Sequence, residues 1–414
     1  MRRGWRRVRT AGVWVVVATL GVGSVAACDS TSETDESTRS VASEAVDAPP
    51  SPSPVLVADV RRARGQIVGT DTVPDAWFAA LPPGITAQRL VYRSASGLDG
   101  KSTTVSGALF VPGSAPPPGG HPLISYAHGT TGITRDCGPS DQDMMFGDLT
   151  AVADFLTAGY AVVTTDYQGL GTRPESQPPH PYLEPRTAAY NVIDAARAAQ
   201  SAGLGIGGRW FAVGRSQGGG AAWSTAEEFA QYGDGAGDLV GAVAVAPLLD
   251  AGYFVTRAQE GSLSRAQRFL YPLVVHGVAQ ARPGVNPGDH LAGLGTEAVP
   301  VCSAGRTALA GLSVPDDAAL NAVTPGAAQT LSRALEGYAL PRLATNVPIA
   351  VFYGGTDPLI PVDVMEDTLA RACELGDRLM RVRHDQQGHG VDPGPAMATW
   401  MRDRLAGVPA PTDC

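Results

Sequence analysis

At 414 residues, with 44% hydrophobic and 17% charged residues, the chain is long enough to bury one large core or two. Its formal charge of −9 sets it against nucleic acids and anionic surfaces as partners. Five cysteines, with no spacing that resembles a zinc or haem site, leave disulfides or buried thiols as their use.

The first residues read as a targeting segment rather than as part of the fold. Arg2, Arg3, Arg6, Arg7 and Arg9 are followed by an apolar run from Val13 to Val25, too short for a membrane span. The run Val25-Ala26-Ala27-Cys28 resembles a bacterial lipobox. This predicts a signal peptide over 1–27, lipidation of Cys28 and attachment to a membrane surface, the plain alternative being a secreted chain cut after Ala27. Processing there removes five arginines and no acid, taking the charge from −9 to −14. Residues 28–58 are acidic, then Pro/Ser-rich, and read as a disordered tether. Export makes the remaining even set, Cys137, Cys302, Cys373 and Cys414, candidates for two disulfides, with three pairings open.

Residues Arg61 to Pro83 are weakly patterned. Arg89–Arg93 and Thr103–Val111 alternate around Gly97-Leu98-Asp99-Gly100, a hairpin signal. From Leu123 the pattern becomes strand, helix, strand, helix. Strands are expected at Leu123–Ala127, Ala161–Thr165, Trp210–Val213, Leu239–Ala246, Val347–Tyr353 and Leu379–Arg383, with helices at Leu149–Ala158 and Arg186–Ser201. Such alternation predicts an α/β fold, a mainly parallel sheet with helices on both faces, carrying the hairpin at one edge. Residues 250–345 depart from it. They are helical in pattern, aromatic, and broken by Pro272, Pro283, Pro287, Pro300 and Pro325. An insertion of this size predicts a helical cap or lid over the strand ends, dividing the core into 59–249 and 346–414.

Gly214-Arg215-Ser216-Gln217-Gly218 follows an apolar run and opens a helical one. In that context G-x-S-x-G is the nucleophile elbow of an α/β-hydrolase. The serine sits at a strained turn, and the two glycines remove side chains that would collide with the strand and helix. An acid and a histidine follow in the order this fold requires: Asp357 in Gly354-Gly355-Thr356-Asp357-Pro358, and His389 in Gly388-His389-Gly390. His389 is the expected base and Asp357 its orienting acid. Asp250 and His384 are weaker rivals at other strand ends, and Asp363 and Asp367 read as solvated. The expected oxyanion donors are the Gln217 N–H and Thr130, with Thr131 beside it as the near alternative. His128 reads as structural. The chemistry needs no metal and no organic cofactor.

Three runs carry a family resemblance: Tyr126-Ala127-His128-Gly129-Thr130-Thr131-Gly132, Thr165-Asp166-Tyr167-Gln168-Gly169-Leu170-Gly171, and the elbow with Gly219. Together they resemble the secretory lipase family, over roughly residues 60–410. The resemblance implies the α/β-hydrolase fold, a helical lid between the sixth strand and the acid, and hydrolysis of lipid or other small carboxylic esters. By position it also implies the pairs Cys137–Cys302 and Cys373–Cys414. Asp166 reads as a structural hydrogen-bonding residue. Acyl transfer or peptide hydrolysis on the same three residues, or a surface lipoprotein with an idle hydrolase fold, are the competing expectations.

Overall fold

The computed structural model describes residues 52–171, 177–291, 302, 315–320 and 324–414. The expected leader and Cys28 lie outside them, as do parts of the Pro/Ser-rich segment and of the 250–345 insertion. Nine strands are described: β1 Ile67–Asp71, β2 Thr86–Ala95, β3 Ser102–Val111, β4 His121–Ala127, β5 Ala161–Thr165, β6 Ile206–Arg215, β7 Asp238–Val245, β8 Ile349–Gly354 and β9 Leu379–His384. They form one sheet in the order β1-β2-β3-β5-β4-β6-β7-β8-β9. Strands β1, β2, β3 and β5 pair antiparallel, and every pair from β5–β4 through to β8–β9 is parallel. The hairpin β2–β3 keeps an unbroken register over ten residue pairs, from Thr86↔Val111 to Ala95↔Ser102.

Strand β1 has no counterpart in the sequence reading. Its side chains are half-buried or exposed and its register slips between Ile67 and Gly69. An edge strand of this kind gains little from burial and leaves no alternating pattern to read.

The parallel strands are buried on both faces because helices cover both. On one face lie α1 Ala58–Ala63, α3 Pro185–Ser201 and α4 Gln217–Tyr232; α2 Leu149–Thr157 and the C-terminal α10 Gly394–Leu405 line the other. Helix α3 begins where Pro185 stands at its first turn and Glu184 accepts from the Arg186 and Thr187 N–H groups, so the sequence caps it directly. Between β7 and β8 come α5 Tyr253–Glu260, α6 Arg265–Ala281, α7 Asp317–Leu320 and α8 Pro325–Glu336, and α9 Val362–Glu374 links β8 to β9.

Helix α6 corrects one expectation: it runs through Pro272, which the sequence reading treats as a break. A proline inside a helix costs about 3 kcal/mol. Burial of Phe269, Leu270, Leu273 and Val274 around it outweighs this, at roughly 1.5–3 kcal/mol for each side chain. Disulfides join Cys137 to Cys302 and Cys373 to Cys414, with Cα separations of 4.9 and 5.2 Å.

Candidate active site

The turn from β6 into α4 holds Ser216 at φ 57° and ψ −118°, a conformation costing about 1–3 kcal/mol for a residue with a side chain. The surrounding backbone fixes it there. The Ser216 N–H donates to the Val245 carbonyl at 2.9 Å, and its own carbonyl accepts from Leu248 at 3.0 Å and Gly220 at 3.1 Å. A Cβ on Gly214 would lie 2.1 Å from the Gly218 oxygen, and one on Gly218 would lie 1.9 Å from the Ala127 oxygen. The spacing of the two glycines is therefore a packing requirement. Ser216 stands at the N-cap of α4, where the helix leaves its first N–H groups without intrahelical partners and its dipole adds partial positive charge.

Asp357 follows β8 and His389 follows β9. Their loops meet backbone to backbone. A Cβ on Gly354 would lie 2.2 Å from the Gln387 oxygen, and one on Gly355 would lie 2.8 Å from the Asp385 Cα. The Gly355 and Thr356 N–H groups donate to the His384 and Gln387 carbonyls at 2.9 and 3.1 Å. This approach brings three sequence-distant side chains into series. His389 Nε2 lies 3.0 Å from Ser216 Oγ, and His389 Nδ1 lies 2.8 Å from Asp357 Oδ2. The other carboxylate oxygen, Oδ1, accepts from the Leu359 and Ile360 N–H groups at 2.8 and 3.1 Å. Both oxygens of the Asp357 carboxyl group are therefore engaged, with Oδ2 turned to Nδ1. The Asp357 side chain is 4% exposed and that of His389 26%, so the carboxyl group is shielded from solvent and the imidazole is reachable.

The rival residues go elsewhere. Asp250 Oδ1 accepts from the Gly252 N–H at 2.8 Å, and its Oδ2 lies 3.4 Å from Arg371. His384 ends β9 and meets Gln387 at 3.5 Å. His128 is buried, with Nδ1 2.6 Å from its neighbour's carbonyl at Gly129. Asp166 is fully buried and accepts from Ser106 Oγ at 2.5 Å and the Ser140 N–H at 2.9 Å, tying the end of β5 to β3 and to the loop after β4. That loop runs against the elbow: a Cβ on Gly129 would lie 3.8 Å from Ser216 Cβ. Thr130 Oγ1 shares a hydrogen bond of 2.7 Å with the Tyr182 hydroxyl, while Thr131 Oγ1 turns away to donate to the Cys137 carbonyl at 2.8 Å.

Sequence reasoning missed three contributors. Arg215, inside the elbow motif, donates to the His389 carbonyl at 3.2 Å and the Val391 carbonyl at 2.8 Å, holding the histidine loop to the serine turn. An arginine next to the serine was its only signal. His180 and Tyr182 lie in a proline-rich connection, where nothing local marks them. The insertion also touches the acid loop. Tyr253 and Gln267 donate to the Leu359 carbonyl at 3.0 and 2.8 Å, and Ser264 to that of Pro358 at 2.6 Å. A small recess beside Gln217 is lined by Leu183, Leu248, Leu249, Leu335 and Leu340.

Sheet order, the turn at Ser216 and loops at the carboxyl ends of the strands make this an α/β-hydrolase fold. The model of the secretory lipase family matches residues 144–288, the stretch containing both the Asp166–Gly171 run and the elbow. The resemblance read from the motifs is borne out over that stretch. Among solved structures, Candida antarctica lipase A is 16% identical, with a TM-score of 0.68 and 86% of each chain covered. The rice cell wall degrading esterase LipA from Xanthomonas oryzae is 20% identical at a TM-score of 0.60, covering 84% of this chain and 97% of that one. A putative hydrolase from Legionella pneumophila is 18% identical at 0.62, covering 83% and 95%. At these identities the likeness is one of fold. No curated protein matches the chain. The family match over residues 144–288, taken with the fold, supports a carboxylic ester hydrolase.

Proposed function

We propose that the protein is an exported serine ester hydrolase, a lipase or carboxylesterase working through Ser216, His389 and Asp357. The observation that carries this reading is the unbroken series of contacts from hydroxyl to imidazole to carboxylate, 3.0 and 2.8 Å long. A serine hydroxyl is a weak nucleophile at neutral pH. His389 Nε2 takes its proton as Oγ attacks the ester carbonyl, and Asp357 holds the proton on Nδ1 and steadies the imidazolium. The tetrahedral oxyanion is received by the Gln217 N–H at the start of α4 and by Thr130 on the facing loop. His389 then gives its proton to the leaving alcohol. Water, activated by the same nitrogen, hydrolyses the acyl-enzyme.

The leucines beside Gln217 give the neighbourhood of the turn an apolar character that suits an acyl group. Two disulfides suit a chain that matures outside the reducing cytoplasm. Lipidation of Cys28 would hold the enzyme at a membrane face; mass spectrometry of the mature N-terminus decides it, an unmodified terminus at or beyond Cys28 removing the anchor. The catalytic reading is tested with Ser216→Ala and a p-nitrophenyl ester. A fall in kcat/KM of about 10³-fold or more is expected. Near-wild-type hydrolysis, or failure of a fluorophosphonate probe to label Ser216, would sink it.

A further inference from the structure

The connection between β5 and α3 carries two side chains that reach the neighbourhood of the elbow, one to Gln217 and the other to Thr130. The hydroxyl of Tyr182 is 2.7 Å from Thr130 Oγ1. His180 Nε2 is 3.0 Å from Gln217 Nε2. These are the two residues assigned above to the oxyanion. We propose that His180 and Tyr182 are positioning residues for that site, each setting the place of one donor without touching substrate. The proposal rests on Ser216 being the nucleophile.

Both side chains are held rigidly enough to do this. His180 is 3% exposed and its Nδ1 lies 2.9 Å from the Gln168 carbonyl. Burial keeps its imidazole neutral, with the pKa lowered to about 3. Nδ1 then carries the proton and donates to Gln168. Nε2 is left as an acceptor, and it accepts from the Gln217 amide. The ring stacks on Tyr167 at 5.8 Å and packs against Tyr182 at 5.9 Å. The Tyr167 hydroxyl in turn donates to the His128 carbonyl at 2.9 Å, at the base of the Thr130 loop. Gly169, at φ 84°, lets the chain pass: a Cβ there would lie 2.2 Å from the His180 N. The Asp166–Gly171 run therefore supports the His180 ring and the loop together.

Tyr182 is fully buried and seated from the insertion side. A Cβ on Gly277 of α6 would lie 2.5 Å from the Tyr182 Cβ, so that helix presses flat against it. A core tyrosine needs some partner for its hydroxyl. Here the partner is Thr130, next to Gly129, where a Cβ would lie 3.8 Å from Ser216 Cβ, and the adjacent histidine engages the residue after the nucleophile. An electrostatic site loses its advantage when its donors must reorganise during reaction. Anchoring the side chains of both donor residues from one short segment restricts that freedom.

The test compares Tyr182→Phe, Thr130→Val and the double variant, with His180→Phe alongside. Each is assayed for kcat, KM and inhibition by an alkyl trifluoromethyl ketone, whose serine adduct carries the oxyanion. Tyr182→Phe is expected to lower kcat about tenfold to a hundredfold, below the 10²–10³ of removing a donor outright. KM should stay within about twofold, and the ketone Ki should rise by the same factor as kcat falls. The double variant should fall no further than the worse single, because both remove one hydrogen bond. If Tyr182→Phe does not fold, Thr130→Val removes the same bond from the other side. Wild-type kcat and Ki in Tyr182→Phe and His180→Phe overturn the inference, as does a raised KM with unchanged Ki. Ser216→Ala is run in parallel. Its inactivity together with wild-type behaviour of the others refutes only this inference, whereas its retained activity refutes the proposed nucleophile.

Discussion

Asp357→Asn exchanges one carboxyl oxygen for an NH₂ group. Its consequence can be worked out from the surrounding hydrogen bonds. The Leu359 and Ile360 N–H groups both point at Oδ1, at 2.8 and 3.1 Å. An asparagine must place its carbonyl oxygen there, because turning the amide over would set its NH₂ against two donors. The NH₂ then takes the place of Oδ2, 2.8 Å from His389 Nδ1. A donor at that distance forces Nδ1 to accept, so the proton moves to Nε2, which now faces Ser216 Oγ with its own N–H. The base can no longer take the serine proton without first changing tautomer. A kcat loss of about 10⁴-fold is expected, equivalent to about 5.4 kcal/mol of transition-state stabilisation. The volume is unchanged and both backbone bonds are kept, so the melting temperature should move by no more than a few degrees. Initial rates on a short-chain p-nitrophenyl ester give kcat, and calorimetry gives the melting temperature. A stable variant retaining more than a tenth of wild-type kcat would refute the tautomer argument and with it the role given to Asp357.

Gly218→Ala puts a methyl 1.9 Å from the Ala127 oxygen, a backbone atom with no room to move. Soluble yield and kcat should both collapse, and an active, stable variant would show that the elbow tolerates a side chain there. Glu227 is buried on α4, its Oε1 accepting from Trp223 Nε1 at 2.9 Å and the Arg342 N–H at 3.0 Å, and burial lifts its pKa from 4.5 to about 8. The folded state keeps this proton longer than the unfolded chain. Its stability contribution is therefore complete below about pH 4.5 and lost as pH rises through 8, on the order of 3 kcal/mol between pH 5 and 8. Glu227→Gln should flatten that part of the urea-midpoint profile; curves parallel to wild type would contradict the assignment. Replacing both Cys373 and Cys414 with alanine opens a closure of 41 residues, worth about 4 kcal/mol by chain entropy. The melting temperature should fall while kcat at 25 °C holds, and unchanged thermal unfolding would deny the bridge its stabilising role.

How much of this was legible beforehand depended on the range of the forces involved. Local pattern announced the parallel strands, because a strand buried on both faces is a continuous apolar run and its connecting helices have their own period. Small residues announced the elbow: a side chain on Gly214 collides with Gly218, only four residues on, whatever surrounds the turn. Strand β1 left no trace because its side chains are too exposed to impose alternation. The path of α6 through Pro272 could not be read either, since the apolar partners that offset the proline come from distant segments.

The site divides along the same line. Residue type and order along the chain nominated Ser216, Asp357 and His389, because the chemistry of proton transfer admits few alternatives at strand ends. Residue spacing alone left three cysteine pairings open, and only family resemblance chose among them. What no stretch of sequence contains is the meeting of Arg215 with the His389 loop, or of Tyr182 with Thr130 across 52 positions. Those contacts depend on where β4, β5 and β6 lie relative to one another in the sheet. Strand order is a property of the whole fold, set by long-range burial, and so the supports of the site became visible only in the tertiary structure.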